Sequence, residues 1–345
     1  MWTTVILGCI ALMGWIAWDR FAVMEMFGGQ HEQSLLIDKA SLLNQEQMNG
    51  IAKYHSAFLD AYDIDFRVVT TTGAEDINLY SVKSFEELQV GTFSTTGRGL
   101  LLVVDPENDL VRMEIGRSLE GVYTDAFIAY IEQRQMVPFF QANRVADGIL
   151  ATTELLAARA NDAIQGEEFD PVTVARFEKS SGAGAKSRAG IATGYQRPEG
   201  SGQTNASASG GPLLVVQAYH HVMESGNARP DLRIFTRATQ QMMKDWVVTP
   251  AQMRNMVNTY RKCSKTEVRI QGNYGVVRYE LSKRQCSPYF LQQENGAWKL
   301  DLTMMSNAIR FNHKNQWHFA MNVSHPYGFA FTDWRFDQYG FPRLR

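Results

Sequence analysis

A segment poor in large apolar side chains divides the chain and limits what it can fold into. Residues 178–211 contain 8 glycines and 6 serines in 34 positions. A stretch of this composition cannot bury enough apolar surface to offset the entropy that is lost on ordering. The sequence therefore predicts two separately folded domains, joined by a flexible linker at residues 176–211. A chain of 345 residues is long enough for both.

The overall composition excludes several classes of protein without indicating a chemistry. The chain has 34 Lys and Arg against 36 Asp and Glu, which gives a formal net charge of −2. This balance disfavours a strongly charged nucleic-acid-binding protein, so we expect no nucleic-acid partner. Three cysteines are too few for a disulfide-dense scaffold or for a zinc site that is built from four thiolates.

The amino-terminal run is the most apolar part of the chain. Residues Met1 to Trp18 include no ionisable side chain and would span roughly 27 Å as a helix. Tryptophans lie near both ends of the run, as is typical at membrane interfaces, and Asp19-Arg20 ends it. We expect a single transmembrane anchor at residues 1–20, and hence a membrane as partner. A cleaved signal peptide is the alternative, but it needs a basic start and a small-residue cleavage site, and neither is visible.

Two cysteines bear on the compartment. Cys263 and Cys286 are 23 positions apart in one predicted domain and either form a disulfide or stay as buried thiols. The positive-inside rule gives no orientation, because Arg20 is the only basic residue close to the predicted anchor. A disulfide would place the body of the protein in an oxidising compartment. On that ground we expect an inner-membrane protein whose body faces the periplasm or extracytoplasmic side.

Helical and strand patterns alternate in the first domain, which we place at residues 35–175. The predicted helices are Gln45 to Ala61, Thr124 to Met136 and Val145 to Ala163, and the predicted strands are Phe66 to Thr70, Leu100 to Val104 and Leu110 to Ile115. The last two strands are joined by a turn at residues 106–109 and form a hairpin. Helices among few strands indicate a layered α/β fold.

The second domain, placed at residues 212–309, has its helices first and its strands after them. Helices are predicted from Pro212 and from Pro250, with helical patterns between them, and four strands follow as a meander. This order indicates an α+β fold. The tail at residues 310–345 carries ten aromatic residues in 36 positions. It either packs on the sheet or contacts a partner through Trp334, Phe336 and Tyr339, which are residue types that are enriched at protein contacts.

An ordered series of short motifs carries a family resemblance from about Ile37 to Ala163. The motifs are Gly97-Arg98-Gly99-Leu100-Leu101-Leu102-Val103-Val104, Val111-Arg112-Met113-Glu114-Ile115-Gly116, Leu119-Glu120-Gly121, Thr124-Asp125 and Met136-Val137-Pro138-Phe139-Phe140. The segment resembles the TPM family, which includes a thylakoid acid phosphatase and bacterial membrane-anchored extracytoplasmic proteins. The resemblance implies an α/β/α sandwich, frequent calcium binding, and either phosphatase activity or a role in assembling or repairing membrane complexes. The second domain is similar to the NTF2-like fold, a cone that serves both enzymes and binding modules.

Three carboxylates are candidate Ca²⁺ ligands. Asp105 ends a buried strand, Glu120 and Asp125 flank a turn that contains glycine, and Ca²⁺ takes six to eight oxygen ligands. The matching TPM motif favours Asp125 and, less firmly, Glu120. The alternative for Asp125 is a charge at a helix amino terminus, which is favourable by about 0.3–1 kcal/mol. Arg98, between two glycines, is either an anion-binding residue or an exposed loop arginine.

No local signature of a nucleophilic phosphatase is present. The first domain has no G-x-S-x-G elbow, no Walker loop and no cysteine, and we expect His55 to be a surface or capping residue. Two functions stay open. One is a membrane-anchored extracytoplasmic scaffold or assembly factor for a membrane protein complex, whose subunits would be its partners. The other is a metal-dependent phosphatase that uses Asp125 and Glu120, with Asp105 as a further candidate ligand and Arg98 on the phosphate.

Overall fold

The computed structural model describes residues 35–169, 194–200, 210–312 and 314–345. The predicted anchor at residues 1–20 and most of the predicted linker lie outside these ranges. Within them, no helix combines the length and apolar character that crossing a bilayer requires. The described residues divide into two compact units, the first ending at Gln196 and the second beginning at Arg197.

A four-stranded sheet forms the centre of the first unit. Its strands are β1 (Leu36–Asp38), β2 (Asp65–Thr70), β3 (Gly99–Asp105) and β4 (Leu110–Ile115), in the order β1-β2-β3-β4. The first three are parallel, and β4 returns antiparallel to β3, as the predicted hairpin requires. Every residue of β2 and β3 is buried, because helices cover both faces of the sheet.

The helices of the first unit lie in two layers. They are α1 (Gln45–Tyr62), α2 (Ile77–Glu87), α3 (Asp125–Ile131), a π-helical turn (Glu132–Met136), α4 (Val137–Gln141) and α5 (Val145–Ile164). On one face Phe58 of α1 packs against Phe66, and α1 also contacts α5. On the other face Ile77 of α2 packs with Val69 and Leu101. A capping box between Asn44 and Gln47 explains why α1 begins at Gln45.

The second unit places three helices before an antiparallel meander. The helices are α6 (Pro212–Glu224), α7 (Arg237–Lys244) and α8 (Pro250–Arg261), and the strands are β5 (Glu267–Gln271), β6 (Tyr274–Arg278), β7 (Tyr289–Glu294) and β8 (Ala297–Leu300). Helix α9 (Leu302–Ala308) follows. Two-residue turns join β5 to β6 at Gly272-Asn273 and β7 to β8 at Asn295-Gly296. Part of the predicted linker is ordered on this unit, since Ala228 donates its N–H to the Pro198 carbonyl at 2.7 Å.

The predicted aromatic tail is part of the second unit rather than a separate piece. Residues after α9 form two short hairpins, β9 (Ile309–Phe311) with β10 (Trp317–Phe319) and β11 (Trp334–Phe336) with β12 (Pro342–Leu344). Between them, Tyr327 stacks on Phe290 of β7 with ring centroids 4.2 Å apart. The tail therefore supplies the apolar layer that covers one face of the meander.

Candidate functional site

Two oppositely charged side chains are buried at the start of β2. Asp65 is fully buried, and the Arg67 side chain is 2% exposed. Arg67 donates Nε to Asp65 Oδ1 at 2.9 Å and Nη2 to Asp65 Oδ2 at 2.7 Å. This two-pronged, charge-assisted geometry compensates both groups for the loss of water.

The buried pair also fixes the loop that follows α2. Asp65 Oδ2 accepts the Gly91 N–H at 2.7 Å, and Arg67 Nη1 donates to the Leu88 carbonyl at 2.6 Å. The Arg67 guanidinium lies 4.8 Å from the centre of the Phe93 ring, within cation–π range. The loop is therefore held by a charge pair within the sheet, as well as by its own turns.

His55 completes this buried polar cluster. Its Nδ1 lies 2.5 Å from the Phe66 carbonyl and 4.0 Å from Asp65 Oδ1. Burial lowers the pKa of His55, because the charged ring would lose its hydration. The expectation of a surface or capping residue is wrong, since this face of α1 packs on β2 and covers the ring.

A second carboxylate organises the exposed part of the same loop. Asp63, the cap residue after α1, accepts the N–H groups of Thr95 and Thr96 at 2.7 and 3.1 Å. It also accepts the two threonine hydroxyls at 2.9 and 2.6 Å. The Thr96 hydroxyl contributes most to a lowered pKa of Asp63, because hydrogen bonds to a carboxylate favour its charged form. Asp63 therefore anchors the loop.

Arg98 lies at the end of this loop and before β3. Its Nη1 donates to the Tyr62 carbonyl at 3.0 Å, and its backbone N–H donates to Ser94 Oγ at 2.9 Å. The guanidinium thus stabilises the carboxyl end of α1, where a positive charge complements the helix dipole. Arg98 is half-buried and held, which differs from an exposed loop arginine. Anion binding by Arg98 stays a prediction.

Glu120 and Asp125 lie on the chain that follows β4. This chain passes the start of β3, since Ser118 Oγ donates to the Gly97 carbonyl at 3.2 Å. Both carboxylates are exposed. Asp125 is the first residue of α3, and the hydroxyl of the cap residue Thr124 accepts the Phe127 N–H at 3.3 Å. Its position is therefore that of a charge which complements a helix amino terminus.

Asp105 lies at the opposite end of β3. Its carboxylate is fully buried and accepts five hydrogen bonds: from the N–H groups of Gly73 (3.3 Å), Ala74 (2.7 Å), Glu107 (3.1 Å) and Asn108 (3.2 Å), and from Asn108 Nδ2 (3.0 Å). Seven strand residues separate this end from the start of β3 by about 20 Å. Asp105 is the anchor of the β3–β4 turn.

The three predicted calcium ligands therefore do not fit one ion. Asp105 is separated from Glu120 by the length of β3, and its oxygens are already occupied by N–H donors. A Ca²⁺ ion needs six to eight oxygens around one point. In residues 35–169, 194–200, 210–312 and 314–345, no three His, Cys, Asp or Glu side chains lie close enough together to hold a metal. Calcium binding by Glu120 and Asp125 without Asp105 stays a prediction.

Glu132 is a buried carboxyl group of the first unit that no sequence motif indicated. Glu132, in the π-helical turn, accepts the Met113 N–H at 3.2 Å. Met113 belongs to β4, the end strand of the sheet, so Glu132 covers a free N–H on the sheet edge. Burial raises the pKa of Glu132 to about 7. The sequence does indicate this burial, because Glu132 lies on the same side of the predicted helix as the apolar residues Ile128 and Ile131.

The second unit buries a network of hydroxyl and imidazole groups. His220 Nε2 lies 2.9 Å from the Tyr289 hydroxyl. The ring of Tyr260 contacts both the His220 and the Tyr289 rings, with centroids 4.6 and 4.9 Å away, and its hydroxyl lies 3.1 Å from Ser287 Oγ. Burial lowers the pKa of His220 to about 4. Next to Ser287, Cys286 is bonded to Cys263, with Cα atoms 5.8 Å apart. The structure thus forms the disulfide instead of two thiols.

The predicted partner-binding aromatic residues have unequal exposure. Trp334 is buried in the core, where its ring lies 4.5 Å from the Arg278 guanidinium. Phe336 is partly buried and packs on Phe319, and Tyr339 is exposed. Trp334 is therefore not available to a partner, because β11 turns it toward the meander. Of the three, Tyr339 alone keeps an exposed ring.

Comparison with protein-family models supports the assignment of residues 36–159. The model of the TPM domain family matches residues 36–159, and the resemblance to this family is thereby confirmed for that segment. A solved structure that matches is the solution NMR structure of the N-terminal domain of a protein from P. gingivalis. It is 25% identical, covers 41% of this chain and 89% of that chain, and has a TM-score of 0.36. The search of curated proteins finds no match.

Proposed function

We propose, from the TPM domain at residues 36–159, that this protein is a membrane-anchored extracytoplasmic scaffold or assembly factor for a membrane protein complex. The observation that carries the proposal is how the fold uses its candidate catalytic groups. Asp105 accepts five hydrogen bonds from its own turn, and Arg98 stabilises the end of α1. These groups hold the fold together, which suits a binding module better than a phosphatase.

An exposed aliphatic pair on the TPM domain supports the binding role. Leu79 and Val82 lie three residues apart on α2, and both side chains are exposed. Residues at this spacing share one face of a helix. We assign this face to a contact with a subunit of the membrane complex.

Other features support the location and the architecture. The disulfide between Cys263 and Cys286 is of a kind that persists in oxidising compartments, and the apolar run at Met1 to Trp18 suits an anchor in the inner membrane. For the second unit we propose the NTF2-like fold, because three helices precede its antiparallel sheet.

The test is recovery of partners after gentle detergent extraction of the tagged full-length chain. Membrane-complex subunits are expected to copurify with the wild type and to be lost from a Leu79→Lys, Val82→Lys variant. Ile164→Lys is the matched control, since Ile164 is an exposed aliphatic residue on α5 of the same domain. The scaffold proposal fails if the wild type enriches no membrane protein over an untagged strain.

A metal-dependent phosphatase is the second candidate, favoured by one observation. Arg98 and the segment that carries Glu120 and Asp125 meet at the same end of β3. Hydrolysis of p-nitrophenyl phosphate by the full-length chain, with Ca²⁺ or Mg²⁺, tests it. Loss of hydrolysis in Asp125→Asn, with retention in Glu107→Gln at the opposite end of β3, would favour this function over the scaffold.

A further inference from the structure

Strand β5 ends the sheet of the second unit and leaves one edge unpaired. Its neighbour on one side is β6, and no strand in the described part of the chain pairs with its other side. Val268 and Ile270 are 37% and 55% exposed and point to the same face. A free edge with exposed aliphatic groups is a template for pairing with another strand.

The hairpin geometry sets which backbone groups point outward from β5. A two-residue turn joins Gln271 to its partner Tyr274, and such turns are flanked by a hydrogen-bonded pair. Alternation along the strand then directs the N–H and C=O of Glu267 and Arg269 toward β6. Those of Val268 and Ile270 point away from the sheet. The free edge therefore offers its donors and acceptors at Val268 and Ile270.

Charge favours a register centred on Val268 over one centred on Arg269 for two copies of this edge. With a two-fold axis at Val268, each Glu267 lies opposite Arg269 of the second copy, and Val268 lies opposite itself. Thr266 then faces Ile270 of the second copy. A two-fold axis at Arg269 would instead place two like charges directly opposite each other, which is unfavourable in a sheet. The first register also pairs the outward-pointing backbone groups of Val268 with each other.

The charged residues beside the edge are balanced within one chain. Glu267 Oε1 accepts from Arg269 Nε at 2.6 Å, and Glu267 Oε2 accepts from Arg278 Nε at 2.8 Å. Asp333 accepts from Arg278 Nη2 at 2.6 Å. Two positive and two negative groups thus lie next to the edge. The two-fold axis reverses the direction of the strand in the second copy. Acidic side chains of one copy therefore lie opposite basic side chains of the other.

We propose that two copies of this protein associate through β5 in the register centred on Val268, which joins their sheets into one eight-stranded antiparallel sheet. The association is a property of the second unit and does not depend on the role of the TPM domain. It would give each assembly two membrane anchors and two TPM domains.

Cysteine crosslinking of the full-length chain in detergent tests the register. Cys9→Ala removes the remaining thiol, and Val268→Cys is then oxidised mildly. Residues in a hydrogen-bonded antiparallel pair have Cα atoms about 5.5 Å apart, which is within the range of a disulfide. We expect a covalent dimer on a non-reducing gel, and mass mapping should find the introduced thiols of the two copies joined to each other.

Ile270→Cys is the matched control for random collision. Its site is more exposed than that of Val268, yet in the proposed register it lies opposite Thr266 of the second copy. The two Ile270 positions are four residues out of register, roughly 13 Å apart. We expect little crosslinking. Equal crosslinking of Ile270→Cys, or crosslinking of Arg269→Cys instead of Val268→Cys, would overturn the proposed register.

Light scattering in detergent tests the charges and the association itself. Arg269→Glu places like charges opposite each other twice and should weaken the dimer roughly tenfold or more, whereas Arg269→Lys should keep it. Ile270→Lys should also weaken it, and Leu214→Lys should not, although Leu214 is as exposed (57%). A circular dichroism spectrum like that of the wild type and a cooperative thermal transition show that each variant is folded. A wild-type chain that stays monomeric at all accessible concentrations contradicts the proposal.

Discussion

The two sheets of this protein differ in how their end strands are covered. In the first unit β2 and β3 are buried on both faces, and Glu132 covers a free N–H of the end strand β4. In the second unit β5 is an exposed end strand with aliphatic side chains. A sheet that is covered by helices must satisfy its polar groups internally, whereas an antiparallel sheet can leave an edge free for a partner.

The stabilising devices differ in the same way. The first unit contains no cysteine and places the ion pair of Asp65 and Arg67 inside the sheet. The second unit has a covalent bridge, Cys263 to Cys286, and an aromatic core. An ion pair depends on both partners being present, while a disulfide acts largely on the unfolded chain. Perturbing each device should therefore affect one unit and leave the other unchanged.

The largest expected effect follows from breaking the buried pair. Asp65→Ala leaves the Arg67 guanidinium buried without its carboxylate, and removing one partner of such a pair typically costs about 3–5 kcal/mol. Urea unfolding measured by circular dichroism should show an earlier transition of the first unit. Tryptophan fluorescence should not follow this transition, because residues 35–196 contain no tryptophan.

The exposed neighbour Asp60 supplies the control for this variant. Asp60→Ala lies on the solvent side of α1 and should change the free energy of unfolding by less than about 0.5 kcal/mol. If Asp65→Ala and Asp60→Ala lose similar stability, the pair does not support the first unit, and the contrast with the second unit is wrong.

Removing the disulfide is the next largest perturbation. For a loop of this length the chain-entropy estimate is about 3 kcal/mol, so Cys263→Ala with Cys286→Ala should lower the midpoint that tryptophan fluorescence reports. A reducing agent should have the same effect on the wild type and none on the first unit. A common shift of both transitions would mean that the two units unfold together.

The elements that sequence patterns predicted are those with a local cause. The uninterrupted apolar run Leu100 to Val104 is buried on both faces as β3. Strand β1 and helix α2 were missed. β1 has three residues and exists through pairing with β2, while α2 exposes Leu79 and Val82, which obscures its helical pattern.

The candidate site was less predictable than the fold. The sequence identified Asp105, Glu120 and Asp125 as carboxylates near turns, but which end of a strand each one faces depends on tertiary packing. His55 was expected at the surface or at a helix cap, and the loop that covers Asp65 comes from a segment about 25 residues later in the chain. Burial by distant segments is not encoded in a local pattern.

Glu132, which covers the β4 edge of the first sheet, should make the stability of the first unit depend on pH. The pKa of Glu132 is raised from its ordinary value near 4.5 to about 7, so its protonated form is favoured in the folded state. The stability that this gives is complete below the unfolded pKa and is lost as pH rises through 7. Glu132→Gln should leave stability at pH 4.5 nearly unchanged and raise it at pH 8 by about 1–3 kcal/mol.

Urea unfolding of the first unit across this pH range measures the effect. The glutamine oxygen can still accept the Met113 N–H, so the variant keeps the edge contact. Glu114 lies next to Met113 on β4 and is partly exposed, so Glu114→Gln should not remove the pH dependence. If wild type and Glu132→Gln show parallel pH profiles, Glu132 is not the titrating group at this edge.

The smallest predicted effect asks whether the first unit also depends on a cation. As a helix charge alone, Asp125 contributes about 0.3–1 kcal/mol, so Asp125→Ala should lose that amount with or without Ca²⁺. If Glu120 and Asp125 bind Ca²⁺, the ion would stabilise the wild type by about 2.7 kcal/mol at a concentration 100 times the dissociation constant. Asp125→Ala would abolish that gain. Thermal unfolding of both proteins with Ca²⁺ and with EDTA separates the cases, because a helix charge is indifferent to the chelator. A calcium-dependent gain that is confined to the wild type would show that a bound ion stabilises the first unit, in addition to the unit's own buried charges.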